Sequence, residues 1–135
     1  MKKTLLRDAA RIALEKLPRH PQFDYYPHFT FIVQNNKMIG WGTNSEGVPP
    51  VHLGYNERIQ WGLPKMHSEY NAYRKVKGIL QHNKGFEIIN IRLNRSNEFR
   101  TAAPCSCCHN FMSTLGCTDC YFSVDGGRFA AMKMS

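Results

Sequence analysis

Two short segments decide the fold of this chain: His67-Ser68-Glu69 and, further along, Pro104-Cys105-Ser106-Cys107-Cys108. The imidazole of His67 and the thiols of Cys105 and Cys108 are ligands that Zn²⁺ prefers, and three protein ligands leave the fourth tetrahedral position to water. Glu69 lies close enough to His67 in sequence to reach that water without binding the metal, as general acid/base catalysis requires. The segments therefore predict a hydrolytic zinc site with Glu69 as its proton carrier.

H-x-E followed by P-C-x-x-C resembles the signature of the zinc-dependent cytidine deaminase superfamily. Each half of the signature is common by chance, but the two halves in this order are specific. The resemblance implies a three-layer α/β/α domain around a mixed sheet of about five strands. It also implies an enzyme that converts cytosine to uracil by water attack at C4, with zinc on His67, Cys105 and Cys108 and with Glu69 shuttling protons.

A second C-x-x-C pair, Cys117 and Cys120, opens an alternative, because paired motifs of this kind often hold a four-thiolate structural zinc. The segment between the two pairs is short for a zinc ribbon and carries apolar residues at helical spacing. Cys117 and Cys120 flank the start of a strand-like run, where cysteines pack as small hydrophobes. Cys107 points away from its neighbours on a helix, which favours packing for it as well.

Length and composition fit one compact enzyme. The 135 residues predict a single domain, residues 1–135, which is long enough to bury roughly two-thirds of its unfolded surface. All five cysteines lie between positions 105 and 120, and this odd, local set favours metal and reduced thiols in the cytoplasm over a disulfide scaffold. No stretch approaches the roughly twenty apolar residues that a membrane span needs, so no membrane partner is expected.

Periodicity and turn residues predict the elements around the motifs. Apolar residues recur on one face of an amino-terminal helix, and a hairpin rich in aromatic and branched residues follows. The predicted elements are a helix over 1–17, strands over 28–33 and 38–41, a long loop over 46–64, a helix from about 67 to 76, a strand over 86–93 and a helix from 104–105. We interpret the long loop as a substrate lid. Both ligand segments fall at helix N-termini, whose positive ends favour thiolates and anions.

The carboxyl end predicts a second hairpin. Asp125-Gly126-Gly127 is a tight-turn signal between strand-like runs at Tyr121–Val124 and Arg128–Met132, so the last two strands should be antiparallel. By resemblance, free-nucleoside cytidine deaminases and several bacterial deaminase toxins have this hairpin. The tRNA adenosine, deoxycytidylate and APOBEC-like deaminases insert a helix that makes the final strands parallel. The chain resembles the hairpin group.

Substrate contacts are predicted from further resemblances. Asn44 and Glu46 resemble the N-x-E element with which cytidine deaminases hold ribose hydroxyls, and Phe29 resembles the phenylalanine that stacks on the pyrimidine. For Asn44 a turn role is an alternative, since asparagine tolerates left-handed backbone. Core packing is the alternative for Phe29. A free cytidine or deoxycytidine, or its phosphate, is the preferred substrate class, and by resemblance the protein is expected to be a homo-oligomer.

The net charge of +8 keeps a polynucleotide substrate open. Trp61 lies in the long loop, and Lys75 and Lys77 lie at the end of the second helix; aromatic and basic residues together form stacking grooves for single-stranded DNA or RNA. A solvated basic face is the simpler explanation. A third class is an inactive, zinc-stabilised nucleotide-binding module, which is disfavoured because Glu69 beside an open metal position would serve no purpose there.

Overall fold

The described residues, 1–16, 27–44, 68–94 and 96–134 of a computed structural model, form three helices and six strands. In chain order they are α1 (Lys3–Lys16), β1 (His28–Gln34), β2 (Lys37–Thr43), α2 (Ser68–Val76), β3 (Phe86–Leu93), β4 (Phe99–Arg100), α3 (Ser106–Thr114), β5 (Cys117–Ser123) and β6 (Phe129–Lys133). The predicted lid loop, together with Glu46, Trp61 and His67, lies outside these residues.

The sheet is mixed, with strand order β2-β1-β3-β5-β6 and β4 paired to β3. Strands β3 and β5 are parallel, and the connection between them contains α3. All other pairs are antiparallel, including β5 and β6. The α/β class and the antiparallel final pair predicted from the sequence are confirmed. The sheet has six strands instead of about five because β4 has only two residues, too few to show a strand period.

Both hairpins turn where the sequence indicated. Asn35 and Asn36 connect β1 to β2 with φ angles of 54° and 60°. Asparagine tolerates this left-handed region, and such turns match the twist of paired strands. Gly126 and Gly127 carry φ angles of 96° and 90° between β5 and β6, where a side chain would be strained.

Helices cover both faces of the sheet, which gives the predicted three layers. One face packs against α1 and buries aromatic and branched side chains, among them Phe29, Phe31 and Ile91. The other face packs against α2 and α3 through residues such as Ile32, Ile88 and Met112. Alternate residues of β1 and β3 supply the two cores, as the period of a strand buried on both faces requires. None of the helices in the described ranges has the length and apolar character needed to cross a bilayer.

Two glycines of β2 allow α2 to lie directly on the strand. A Cβ atom on Gly42 would come within 2.5 Å of the Ala72 nitrogen and 2.7 Å of the Asn71 carbonyl carbon. A Cβ on Gly40 would collide with the Val76 side chain. Because backbone cannot yield as a flexible side chain can, Gly42 fixes the distance between β2 and the first turns of α2. This close approach positions the start of α2 against the sheet.

Candidate active site

The first turn of α3 carries the thiol pair Cys105 and Cys108. Cys105 is the N-cap, with extended backbone (φ −69°, ψ 166°), and its Sγ accepts the backbone N–H of Cys108 at 3.4 Å. The helix therefore starts one residue later than the Pro104-Cys105 start that the sequence predicted. Cys105 is exposed and Cys108 is fully buried. The pair thus runs from the surface inward at the positive end of a helix, where thiolate is favoured.

The segment that leads into α3 is tied to the end of β5. The N–H of Ala102 donates to the Ser123 carbonyl at 2.9 Å, and the Ser123 hydroxyl donates to the Arg100 carbonyl at 2.7 Å. The N–H of Thr101 donates to Asp125 Oδ1 in the β5–β6 turn at 3.1 Å. The carboxyl-terminal hairpin therefore holds the backbone just before Cys105.

Glu69 lies in the first turn of α2 and is only 5% exposed. Its Oε2 accepts from Asn90 Nδ2 at 3.0 Å, and its Oε1 lies 3.3 Å from the Ser68 hydroxyl. Thr30 connects these two partners: its hydroxyl donates to Asn90 Oδ1 at 2.7 Å and lies 2.7 Å from the Ser68 hydroxyl. We call Thr30, Ser68, Glu69 and Asn90 the Glu69 network. It fixes the carboxylate between α2, β1 and β3.

The starts of α2 and α3 pack against each other. Tyr70, which follows Glu69, shares a buried cluster with Cys108, and Cys107 and Phe111 pack against that cluster. The rings of Tyr70 and Phe111 stack with centroids 5.5 Å apart. Burial raises the pKa of Tyr70, so its hydroxyl stays neutral. The carboxylate of Glu69 and the thiol of Cys108 therefore belong to two helix starts in direct contact.

The second thiol pair lies within the sheet. Cys117 and Cys120 are buried on β5 in the core beneath α2 and α3. Burial raises the pKa of Cys117 to about 12. Burial, with the negative charge of Glu69 as the next cause, also raises the pKa of Cys120 well above the ordinary thiol value. In the absence of a metal both groups are therefore neutral thiols at physiological pH, as expected for cysteines that pack as small hydrophobes.

The described donors fit the sulfur half of a zinc site. Cys105 and Cys108 present two sulfurs within one helical turn, and Glu69 is a buried carboxylate at the adjoining helix start. Among the described residues, which include all five cysteines, no three His, Cys, Asp or Glu side chains group closely enough to hold a metal ion. The predicted third ligand, His67, precedes Ser68 and lies outside those residues, so the complete ligand set stays a prediction.

Of the predicted substrate contacts, Asn44 and Phe29 are described. Asn44 is buried beside β1, where its Oδ1 accepts the N–H of His28 at 3.1 Å and its own N–H donates to the His28 carbonyl. Phe29 is fully buried on the α1 face, with its ring 6.0 Å from that of Trp41. Strand alternation puts Phe29 on the opposite side of the sheet from Thr30, so the structure does not bring its ring to Glu69.

Sequence reasoning missed the partners of Glu69. Thr30 and Asn90 are opposite each other in the β1–β3 register, and each stands between two apolar neighbours in a buried stretch of its strand. A buried polar residue among branched and aromatic neighbours is the signal that could have found them. Gly42 offered a second signal, because glycine within a strand often marks the close approach of another backbone.

Comparison with known proteins supports the fold. No protein-family model matches the sequence, and no curated protein matches it. Among solved structures, the dCMP deaminase of the cyanophage S-TIM5, crystallised in apo form, has a TM-score of 0.55 and 17% sequence identity; the match covers 90% of this chain and 84% of that one. The chain therefore has a cytidine-deaminase-like fold.

Proposed function

We propose that this protein is a zinc-dependent hydrolytic deaminase that converts cytosine to uracil in a free pyrimidine nucleoside or nucleotide. The observation that carries the proposal is the contact between two helix starts, one with the buried, hydrogen-bonded Glu69 and the other with Cys105 and Cys108. The fold similar to that of a dCMP deaminase supports the same reaction class.

Each site residue has a distinct role in this proposal. His67, Cys105 and Cys108 would hold the zinc ion, which when bound lowers the pKa of a water molecule so that it can attack C4 of cytosine. Glu69 takes one proton from the attacking water and delivers it to the ring nitrogen N3. It then takes the proton of the hydroxyl group now on C4 and delivers it to the amine, which leaves as ammonia. Glu69 is only 5% exposed, which limits its proton exchange with bulk water.

The substrate would extend from Glu69 towards the carboxyl end of β3. Two residues beyond the Thr30–Asn90 pair, the sheet register brings His28 opposite Arg92, and Arg92 opposite Arg100. Paired residues share a face, so the imidazole and two guanidinium groups follow the Glu69 network along the same face of the sheet, roughly 7 Å further on. Asn44 bonds to the backbone of His28 at this end. Because Arg100 also pairs with Asp125 at 3.6 Å and with Glu98 at 3.9 Å, the guanidinium of Arg92 is the charge that favours a monophosphate over an uncharged nucleoside.

A panel of substrates with ultraviolet detection tests the function. Cytidine, deoxycytidine and their monophosphates should lose the cytosine absorbance as uracil forms, with the monophosphates turned over at the higher kcat/KM. Arg92→Gln should reduce that preference, because a neutral amide attracts phosphate less than guanidinium does. A zinc-loaded wild type that deaminates no compound in this panel would contradict the proposal.

The Glu69→Gln variant tests the role of the carboxylate. Glutamine keeps the size of the side chain and its Oε1 can still accept from Asn90, but it cannot carry the proton. Activity should fall by about 10²–10⁴-fold, as is typical of a lost general acid/base, with zinc content and melting temperature near wild type. Near-normal turnover would remove Glu69 from the mechanism.

Deamination of cytosine in single-stranded DNA or RNA is the second candidate. It is favoured by Lys75, whose Nζ lies 5.6 Å from the ring centroid of Trp41, since cationic and aromatic groups together bind single strands. Such binding should weaken steeply with salt, with a double-logarithmic slope of about −0.7 per phosphate contacted. Deamination of an oligonucleotide without turnover of the free compounds would favour this candidate.

A further inference from the structure

The Glu69 network is a ring of four polar side chains in successive contact, and none of the four is more than 5% exposed. We propose that Asn90 and Thr30 are positioning residues: Asn90 anchors Oε2 of Glu69, Thr30 holds Asn90 in place, and Oε1 is left as the oxygen through which protons pass. This inference rests on the proposed function, because it assigns the geometry of the proton carrier in that reaction.

The direction of two bonds in the ring follows from chemistry. An ionised carboxylate oxygen can only accept, so the amide nitrogen of Asn90 must face Glu69 Oε2, at 3.0 Å. The amide oxygen of Asn90 then faces Thr30 at 2.7 Å and can only accept. The single hydroxyl hydrogen of Thr30 is therefore used by Asn90. Oε2 is anchored by a side chain that Thr30 itself holds in place.

The remaining two contacts compete for one hydrogen. Because the Thr30 hydrogen points to Asn90, the 2.7 Å contact between Thr30 and Ser68 requires the hydroxyl hydrogen of Ser68. That hydrogen cannot also serve Oε1 of Glu69, which lies further away, at 3.3 Å. Oε1 therefore receives no hydrogen from the network, whereas Oε2 accepts from Asn90 at 3.0 Å. The two carboxylate oxygens are unequal: the network holds Oε2 and leaves Oε1 for the exchange of protons.

Burial makes a purely structural role a weak explanation for the ring. Thr30 and Asn90 occupy inward positions of β1 and β3, with Ile32 and Ile88 as the next inward residues. Apolar residues at all four positions of the ring would fill the core without polar atoms, and replacement of a whole buried polar cluster is often neutral or stabilising. A ring that ends on the candidate proton carrier accounts for polar groups at these positions.

Thr30→Val and Thr30→Ser form the deciding pair of variants. Valine keeps the shape but removes the hydroxyl, so Asn90 loses its orienting donor; serine keeps the hydroxyl. The substrate for this test is the free cytosine compound that wild type deaminates fastest. Thr30→Val should lower kcat by roughly tenfold or more and change KM little, because orientation errors of a catalytic group cost up to about 10²-fold. Thr30→Ser should keep most of the wild-type kcat. Asn90→Ala should lower kcat further, and Ser68→Ala least, since Ser68 anchors neither carboxylate oxygen.

Gln34→Leu is the matched control. Gln34 is a buried polar residue of the same strand and face, but its amide bonds to the backbone of Gln81, Lys84 and Gly85, far along the strand from Glu69. The Gln34→Leu substitution should lower the melting temperature and leave kcat and zinc content unchanged. Equal kcat values in Thr30→Val and Thr30→Ser would overturn the inference. It would also be overturned if kcat fell in Gln34→Leu in the same proportion to the melting temperature as in Thr30→Val. Absence of turnover by zinc-loaded wild type would instead overturn the proposed function.

Discussion

The two C-x-x-C pairs have the same spacing and opposite surroundings. Cys105 and Cys108 share the first turn of α3, where residues three apart have Cβ atoms only about 5–6 Å from each other. Cys117 and Cys120 lie in β5, where the pairing with β3 shifts register between them and both thiols are buried in the core. The first pair opens to the surface at a helix start, whereas the second is enclosed between the sheet and the helices. Spacing in sequence therefore indicates a metal site only when the element that carries it is known.

The largest expected effect is the loss of zinc from one pair alone. Cys105→Ala or Cys108→Ala should reduce bound zinc from about one ion per chain to near zero and abolish deamination, and should lower the melting temperature because metal binding contributes folding free energy. Cys117→Ala and Cys120→Ala should retain both zinc and turnover. Atomic absorption on the four purified variants makes the comparison. If the β5 variants lose the metal as well, the four-thiolate alternative is correct.

The buried pair should be visible in the pH dependence of stability. The pKa of Cys117 is raised from an ordinary 9.0 to about 12 in the folded chain, so the folded state holds its proton more tightly than the unfolded state does. The resulting stability is complete below pH 9 and is lost as pH rises from 9 towards 12, at about 1.4 kcal/mol per pH unit.

Urea unfolding between pH 8 and 10.5 measures this effect. Cys117→Ala should show a flatter decline above pH 9 than wild type, although it is slightly less stable at pH 8 because a small cavity remains. Subtracting the variant's free energy of unfolding from that of wild type at each pH removes the contribution of lysines and tyrosines that titrate in the same range. Parallel curves would show that Cys117 ionises as readily in the folded state as in the unfolded one.

Thiol labelling should separate the pairs without mutation. After chelation, an alkylating reagent at pH 8 should modify the exposed Cys105 first, whereas the buried thiols of Cys117 and Cys120 should react only on unfolding. Adding zinc before the reagent should protect Cys105. Residues 101–128 form one tryptic peptide that carries all five cysteines, so fragmentation of this peptide by tandem mass spectrometry gives the order of labelling. Early modification of Cys117 or Cys120 would contradict the burial.

The smallest expected effect concerns the hydrogen bond from Thr101 to Asp125, which holds the segment before Cys105. Asp125→Ala removes the acceptor for the Thr101 N–H and an exposed ion pair with Arg100, at 3.6 Å. The cost should be about 0.5–1.5 kcal/mol, and zinc affinity should fall a few-fold as the segment before Cys105 loosens. Asp125→Asn, which keeps an acceptor oxygen, should recover most of the affinity. Competition with a fluorescent zinc chelator measures both variants.

The elements could be predicted from sequence where a local pattern determines them. Phe86–Leu93 is a strand with the predicted bounds, and the Asp125-Gly126-Gly127 turn joins an antiparallel pair as expected. The partners of Glu69 could not be predicted, because Thr30 and Asn90 meet through strand pairing between distant parts of the chain. Register depends on tertiary packing, which a local pattern does not contain.

The Glu69 network also has a consequence for the order of folding. Its members come from positions 30, 68, 69 and 90, so the anchored carboxylate requires β1, α2 and β3 to be assembled together. Contacts between distant segments form slowly because loop closure must precede them. A nascent chain that has not yet released β3 from the ribosome has no Asn90 to hold Glu69. The hydrogen-bonded arrangement of Glu69 is therefore acquired only once the centre of the sheet has closed, late in the maturation of the chain.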